Sequence, residues 1–267
     1  MRAVFSDLDG SLRHNREGFD ARDLATLVRL GEQGVARIVA TGRSLYAARK
    51  VLAPDFPIDF LIFSSGAGIL DWRSQTLLGS WQLQAAEAAA ALDCLTRLGL
   101  DCMLHQPVPD NHHFHYRRLS DANPDFEQRL ALYADFACEA PNTPWSSPCS
   151  QLLTIVSAKH TAALHTRLQG LLPGLSIIRT TSPLDGQSGW IEIFPAKVSK
   201  SQAAAWLSAL NAWTSTLAFG NDYNDTDLLA WCGRAFVPEH APPELRAAYE
   251  TVADQAGFTQ AIKQWDS

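Results

Sequence analysis

The apolar run Ala3-Val4-Phe5 leads into Asp7-Leu8-Asp9-Gly10-Ser11, and this junction constrains the chain more than any other feature. A short run of this kind reads as a buried strand, so two carboxylates arrive together where that strand ends. Crowded carboxylates raise each other's proton affinity unless a cation is near, so the pair implies either a shared proton or a bound hard metal ion. Asp and Gly are also ordinary residues of the turns that end strands, and taken alone the segment is compatible with a plain turn.

Three further segments repeat the arrangement. Ala36-Arg37-Ile38-Val39-Ala40 is a second strand-like run, followed by Thr41-Gly42-Arg43-Ser44, which supplies a hydroxyl and a flexible turn. Lys200 lies just after Glu192-Ile193-Phe194-Pro195, near the start of an Ala-rich helix that Ser199 is suited to cap. Leu217-Ala218-Phe219 runs into Gly220-Asn221-Asp222-Tyr223-Asn224-Asp225, a cluster of oxygen donors suited to a hard cation.

The surrounding pattern fits an open α/β sheet. Asp20 is placed to cap a helix carrying Leu24, Leu27 and Val28 on one face, with Gly34 ending it. A further apolar strand, Phe60-Leu61-Ile62-Phe63, leads into Ser64-Ser65-Gly66-Ala67-Gly68. Alternating strands and helices favour a parallel sheet, and ligands bind such sheets at the edge where several strands end.

The composition changes after about Trp81. A helix through Leu92 and Leu95 stops at Gly99, and strands follow at Leu100 to Leu104 and around Phe114 to Tyr116. Next come a helix from Asp125 to about Ala137, a Pro and Ser stretch from Pro141 to Pro148, and a strand from Leu152 to Val156. A helix through Leu164 and Leu168 and a strand from Ser176 to Arg179 complete this α and β insert. From about Trp190 the first pattern resumes, ending with Ala235-Phe236-Val237 and a helix from Pro243.

At 267 residues the chain has room for one large domain or two modest ones. A net charge of -6 argues against general affinity for nucleic acid, which needs clustered Lys and Arg. No apolar run approaches membrane-spanning length, and no basic region with an apolar stretch precedes the first strand, so the cytoplasm is the expected compartment. The five cysteines show no Cys-x-x-Cys spacing and read as reduced, mostly buried thiols. His105, His112, His113, His115, Arg117 and Arg118 cluster in the insert, with His113 and His115 expected on one strand face, but nothing nearby completes a zinc set.

In their order and spacing, the four segments resemble the haloacid dehalogenase superfamily, and more narrowly its Cof-type sugar phosphatases with a large C2 cap. Asp7 to Ser11 matches the first motif, Thr41-Gly42-Arg43 the second, Val198-Ser199-Lys200 the third and Gly220 to Asp225 the fourth. Ser64 to Gly68 matches the segment before the cap. The resemblance implies a Rossmann-like α/β core over residues 1–80 and 189–267, with an inserted α+β cap of C2B type over residues 81–188.

It further implies a Mg2+-dependent phosphatase acting on a small phosphomonoester, with Asp7 as the nucleophile that becomes an aspartyl-phosphate. Asp9 would protonate the leaving alcohol and then activate water, while its main-chain carbonyl serves the metal. Thr41, Lys200, Leu8, Gly10, Gly42, Arg43 and Asn224 would hold the phosphoryl group or substrate. Lys200, preferred to Lys197 because it occupies the motif position, would keep Asp7 ionised.

The metal set would be Asp7, Asp9, Asn221, Asp222 and Asp225. Asn221 departs from the family pattern, which has Asp at that point. An amide oxygen binds Mg2+ without bringing charge, which leaves three readings: a neutral ligand at Asn221, a shift of that role to Asp222, or a weakened metal site. Asp227 reads as an acidic residue of the next helix's first turn. Two other functions stay open on the same motifs: a phosphomutase that excludes water, and a catalytically weak phosphometabolite-binding protein. The substrate and the oligomeric state do not follow from the sequence.

Overall fold

The computed structural model describes residues 1–14, 18–141 and 143–267. They fall into two compact units: 1–43, 48–79 and 199–267 in the first, 44–47 and 80–198 in the second.

The first unit is built on an eight-stranded sheet. Its order is Glu250–Val252, Arg234–Pro238, Ser215–Phe219, Arg2–Ser6, Ala36–Ala40, Phe60–Phe63, Gly68–Asp71 and Thr76–Ser80. The first six strands run parallel, and Gly68–Asp71 turns back antiparallel on Phe60–Phe63. The central strands are buried over nearly their whole length, which is why they read as continuous apolar runs and not as alternating ones. Order reverses on either side of Arg2–Ser6, whose neighbours Ala36–Ala40 and Ser215–Phe219 lie early and late in the chain, and this reversal opens a crevice at the carboxyl ends.

Helices close the layers. Ala21–Glu32 starts at Asp20, whose carboxylate accepts from the Arg22 N–H at 2.8 Å, and buries Thr26, Leu27 and Leu30. Val28, expected on that face, is instead 47% exposed, because the buried stripe is centred one position away on Leu27 and Leu30. This helix is tied to Gly257–Trp265 through Asp23, which accepts from Thr259 N–H and hydroxyl at 2.9 and 2.7 Å. Lys200–Asn211 packs on Thr226–Trp231 and on the Ser64–Gly66 turn.

The second unit carries a six-stranded sheet in the order Ala137–Glu139, Phe114–Arg117, Cys102–His105, Gln151–Val156, Gly189–Pro195 and Leu175–Thr181. Helices Ala85–Arg97 and Ala158–Leu171 pack on it over an apolar cluster that includes Leu92, Leu104, Leu152 and Ile193. This unit reaches Val198, ten residues past the boundary that the pattern suggests. Gly189–Pro195 pairs antiparallel with both Gln151–Val156 and Leu175–Thr181, a long-range pairing that leaves no trace in local periodicity.

The helix expected from Asp125 to Ala137 runs from Pro124 to Leu132, capped by Asn123, and Ala137–Glu139 forms an edge strand instead. His113 precedes the Phe114–Arg117 strand, so it does not share a strand face with His115. In the Pro141 to Pro148 stretch, Asn142 lies outside the described residues. All five cysteines are free, with Cys94, Cys102 and Cys149 buried. Among the described residues no helix is long and apolar enough to cross a membrane.

Candidate active site

Four neighbouring strands of the first unit deliver three of the four motif segments and the Ser64 turn to one sheet edge, and a helix start brings Lys200. Asp7 follows Arg2–Ser6, Thr41 follows Ala36–Ala40, Ser64 follows Phe60–Phe63, and Gly220 follows Ser215–Phe219. Ladder-like bonds carry the chain one residue past each strand: Asp7 N–H donates to Phe219 O at 2.8 Å, and Thr41 N–H to Ile62 O at 2.8 Å. The spacing between adjacent strands, about 4.8 Å, then sets the distance between the motifs.

The Ser64–Gly66 turn is shaped by left-handed backbone at three consecutive residues, with φ of 49, 53 and 105°. A Cβ at Gly66 would stand 2.3 Å from the carbonyl oxygen of Ser199, so only glycine lets this turn meet the start of the Lys200 helix. Ser199 caps that helix by accepting from Gln202 N–H at 3.3 Å, and Asp227 accepts from Ser201 N–H at 2.9 Å. Asp227 thus serves the first turn of its own helix and the start of Lys200–Asn211 as well.

Lys200 is fully buried and donates to Asp7 Oδ1 and to Asp225 Oδ1, each at 2.6 Å. Lys197 is exposed and lies in the other unit. Burial works against the Lys200 ammonium, but Asp225 and Asp7 outweigh it and push its pKa above the ordinary lysine value. Asp225 is raised, first by burial, with Lys200 opposing. The Asp7 carboxyl is pushed up to about 8, first by burial and then by the charge of Asp225, with Lys200 again opposing. Two buried carboxylates share one ammonium, so the cluster has room for one more positive charge.

Asp225 spends both oxygens inside the protein. Its Oδ1 accepts from the Lys200 ammonium, and its Oδ2 accepts from the N–H groups of Asn221 and Asp222 at 2.9 and 3.1 Å. It therefore braces the turn that presents Asn221. The Asp222 carboxylate caps the short helical turn Tyr223–Asp225 by accepting from Asp225 N–H.

The oxygen atoms gather around Asn221 instead. The inner atom of its amide lies 3.2 Å from Asp7 Oδ2, 3.0 Å from the Asp9 carbonyl oxygen and 3.0 Å from Ser11 Oγ. A Cβ at Gly10, whose φ is +83°, would sit 2.4 Å from the outer atom of that amide, so glycine is required both by the turn and by the approach of Asn221. Among the described residues no three His, Cys, Asp or Glu side chains gather as a metal-holding set. One carboxylate, one carbonyl and one amide nonetheless form an all-oxygen donor group that fits a hard cation such as Mg2+. Asp225 lies outside that group, with both oxygens already engaged by Lys200 and by the Asn221 and Asp222 N–H groups.

Asp9 points its carboxylate elsewhere. Arg43 holds it through a fork, Nε to Oδ2 at 2.5 Å and Nη2 to Oδ1 at 2.8 Å, and Arg13 Nη1 stands 3.4 Å from Oδ1. Arg43, read in sequence as a phosphate contact, is thus engaged with a carboxylate of the first motif. Arg13 belongs to none of the motifs, and its sequence signal is its place four residues after Asp9.

Thr41 is buried, and its hydroxyl accepts from Arg43 N–H at 3.1 Å. A Cβ at Gly42 would meet Asn224 Nδ2 and Ser65 Oγ, each at 3.5 Å, so Asn224 and Ser65 flank this turn. Ser65 and Ser11 are two polar members of the site to which sequence reading gave no role. Leu8 is buried beneath it, and its carbonyl accepts from Arg13 N–H at 2.7 Å.

With this geometry established, three comparisons place the chain among known proteins. A family model described as haloacid dehalogenase-like hydrolase matches residues 4–262. A protein of Haemophilus influenzae, named as a candidate phosphatase, is 23% identical over 257 residues, covering 94% of this chain and 92% of its own length. A solved subclass IIB sugar phosphatase superposes with a TM-score of 0.76 at 17% identity, covering 100% of this chain and 99% of that one. A superfamily phosphatase from Bacteroides thetaiotaomicron superposes at 0.78 with 16% identity, covering 100% and 95%. These likenesses show the fold: a Rossmann-like parallel-sheet core with an inserted α+β cap.

Proposed function

The chain belongs to the haloacid dehalogenase-like hydrolase family, and from that premise we propose that it is a Mg2+-dependent phosphatase of small phosphorylated metabolites, sugar phosphates foremost. The first unit is then the catalytic core, and the second is the cap that selects the leaving group. The observation that carries the reading is the buried Lys200 ammonium 2.6 Å from Asp7 Oδ1, because it opposes the burial that raises the Asp7 carboxyl and so favours the ionised form a carboxylate nucleophile needs.

Asp7 attacks phosphorus: the bond from its carboxylate oxygen to phosphorus forms while the ester bond to the leaving alcohol breaks. Asp9 gives that alcohol a proton and afterwards takes one from the water that cleaves the acyl phosphate. Arg43 and Arg13 grip both Asp9 oxygens, so one of these contacts gives way before Asp9 carries the proton it donates. Thr41, Ser65 and Asn224 offer hydroxyl and amide donors beside Gly42, where the phosphoryl oxygens would lie, and Lys200 offsets their charge.

Asp7, the Asp9 carbonyl and Asn221 would hold the ion, with Asp225 as their brace. When bound, Mg2+ supplies the positive charge that two buried carboxylates and an incoming phosphate call for. The sugar-phosphate class is taken from the subclass IIB sugar phosphatase whose fold this chain shares. A broad phosphomonoester screen with metal titration tests the reading. Phosphate release that needs Mg2+ and vanishes in Asp7→Asn supports it, and turnover unchanged in that variant refutes the nucleophile.

A further inference from the structure

The Asn221 amide meets its neighbours in a way that a carboxylate cannot. Oxygen and nitrogen of an amide are interchangeable in shape, so the hydrogen-bond network decides which one faces inward. With oxygen inward, Asn221 Oδ1 accepts from Ser11 Oγ at 3.0 Å but also stands against two other acceptors, Asp7 Oδ2 and the Asp9 carbonyl. Three oxygens meeting in this way are stable only with a cation or a shared proton between them. With nitrogen inward, the same position lies within donating distance of Asp7 Oδ2 at 3.2 Å, Asp9 O at 3.0 Å and Ser11 Oγ at 3.0 Å, and its two N–H groups serve two of these at a time.

Each neighbour tolerates both arrangements. The Ser11 hydroxyl can donate or accept, so it serves either orientation by turning its proton. Gly10 has no side chain where the outer amide atom lies, so the exchange of oxygen for nitrogen meets no obstacle there. The Asn221 backbone does not have to move, because its N–H is fixed to Asp225 Oδ2 at 2.9 Å.

We propose that Asn221 is a two-state ligand: its amide oxygen faces the cation when one is bound, and its amide nitrogen donates to the same protein oxygens when none is. The amide is then a stand-in for the ion. It keeps Asp7 and the Asp9 carbonyl assembled in the metal-free protein, and its hydrogen bonds must be given up for the ion to bind. Mg2+ affinity is therefore weaker than it would be with Asp at this position, and the metal-free protein is more robust. The inference rests on the reading that a divalent cation sits at Asp7 and the Asp9 carbonyl.

The test is calorimetric titration of chelator-treated protein with Mg2+ alone, for the natural chain and for Asn221→Asp, together with thermal unfolding of both without metal. Asn221→Asp should bind Mg2+ about ten-fold or more tightly, since it adds a full charge to the donor set. Without metal it should melt at a lower temperature than the natural chain, because a carboxylate there keeps the Ser11 contact but repels Asp7 and the Asp9 carbonyl. On the natural chain, the side-chain amide proton signals of Asn221 should be hydrogen-bonded without Mg2+ and should move when the ion saturates. That measurement needs no variant to fold. Equal affinities and equal melting, with amide signals that the ion leaves unmoved, would overturn the role of Asn221 and leave the cation reading standing. Binding of Mg2+ by neither protein would remove the cation reading itself.

Discussion

Lys200 reaches Asp7 from a position with no solvent exposure, and the 2.6 Å bond between them joins residues 193 positions apart in the chain. The same ammonium holds Asp225 at 2.6 Å, so one cation secures the end of the first strand to the turn after Ser215–Phe219. Assembly of the sheet edge and the charge balance of Asp7 are thereby one structural feature.

Lys200→Met should injure both. Asp7 and Asp225 would be left buried without their shared partner, a change of about 3–5 kcal/mol when one member of a buried ion pair is removed. Chemical denaturation near neutral pH should show that loss, and phosphatase turnover should fall about 100- to 1,000-fold, as when a charge-stabilising group is removed from an active site.

Arg43→Lys keeps a charge but loses the planar fork that grips both Asp9 oxygens. Proton donation matters most for a poor leaving group, so turnover of alkyl phosphates should fall about 10- to 100-fold. An aryl ester such as p-nitrophenyl phosphate, whose leaving group needs no proton, should be affected much less. Equal losses on both substrates would place Arg43 on the phosphate and not on Asp9.

The metal-free protein should respond to pH through Asp7, whose carboxyl moves from 3.8 up to about 8 on burial, with Asp225 adding to the rise and Lys200 opposing it. A carboxyl raised on folding favours the folded chain fully below its unfolded value, and that stability is lost as pH climbs through the folded value. Asp7→Asn removes the titration. In chelator, its melting temperature relative to the natural chain should therefore rise from about pH 4 to pH 8, and added Mg2+ should close the gap.

His105 predicts the opposite slope in the second unit. Burial, with Arg129 nearby, lowers its pKa to about 3, while the Asn111 carbonyl at 2.8 Å pulls the other way. Because the folded value lies below the unfolded value of 6.5, the stability is present above that value and is lost as pH falls toward 3. Thermal unfolding over that window should show an acid limb that His105→Gln flattens.

What could be read in advance was whatever depends on local pattern. Buried strands announced themselves as apolar runs, and Asp20 and Ser199 as caps, because each property is set by a few consecutive residues. Lys200 was legible as a site residue because its motif fixes it at a helix start near a strand end. Contacts between distant side chains were not. The Arg43 fork on Asp9 and the amide of Asn221 against Gly10 depend on reach across neighbouring strand ends. The place of Gly189–Pro195 in the second sheet likewise depends on pairing partners far away in sequence. Val28 shows how a helical stripe can be misjudged by one position when apolar residues lie on both of its borders.

The most direct test of the central claim follows the phosphoryl group itself. A substrate carrying radioactive phosphorus, mixed with enzyme in a single turnover and quenched in acid, should leave label on the protein as a hydroxylamine-sensitive acyl phosphate. Peptide mapping should find it on Asp7, and Asp7→Asn should carry none. Full turnover with no protein-bound label at any quench time, or label that persists in Asp7→Asn, would contradict the account.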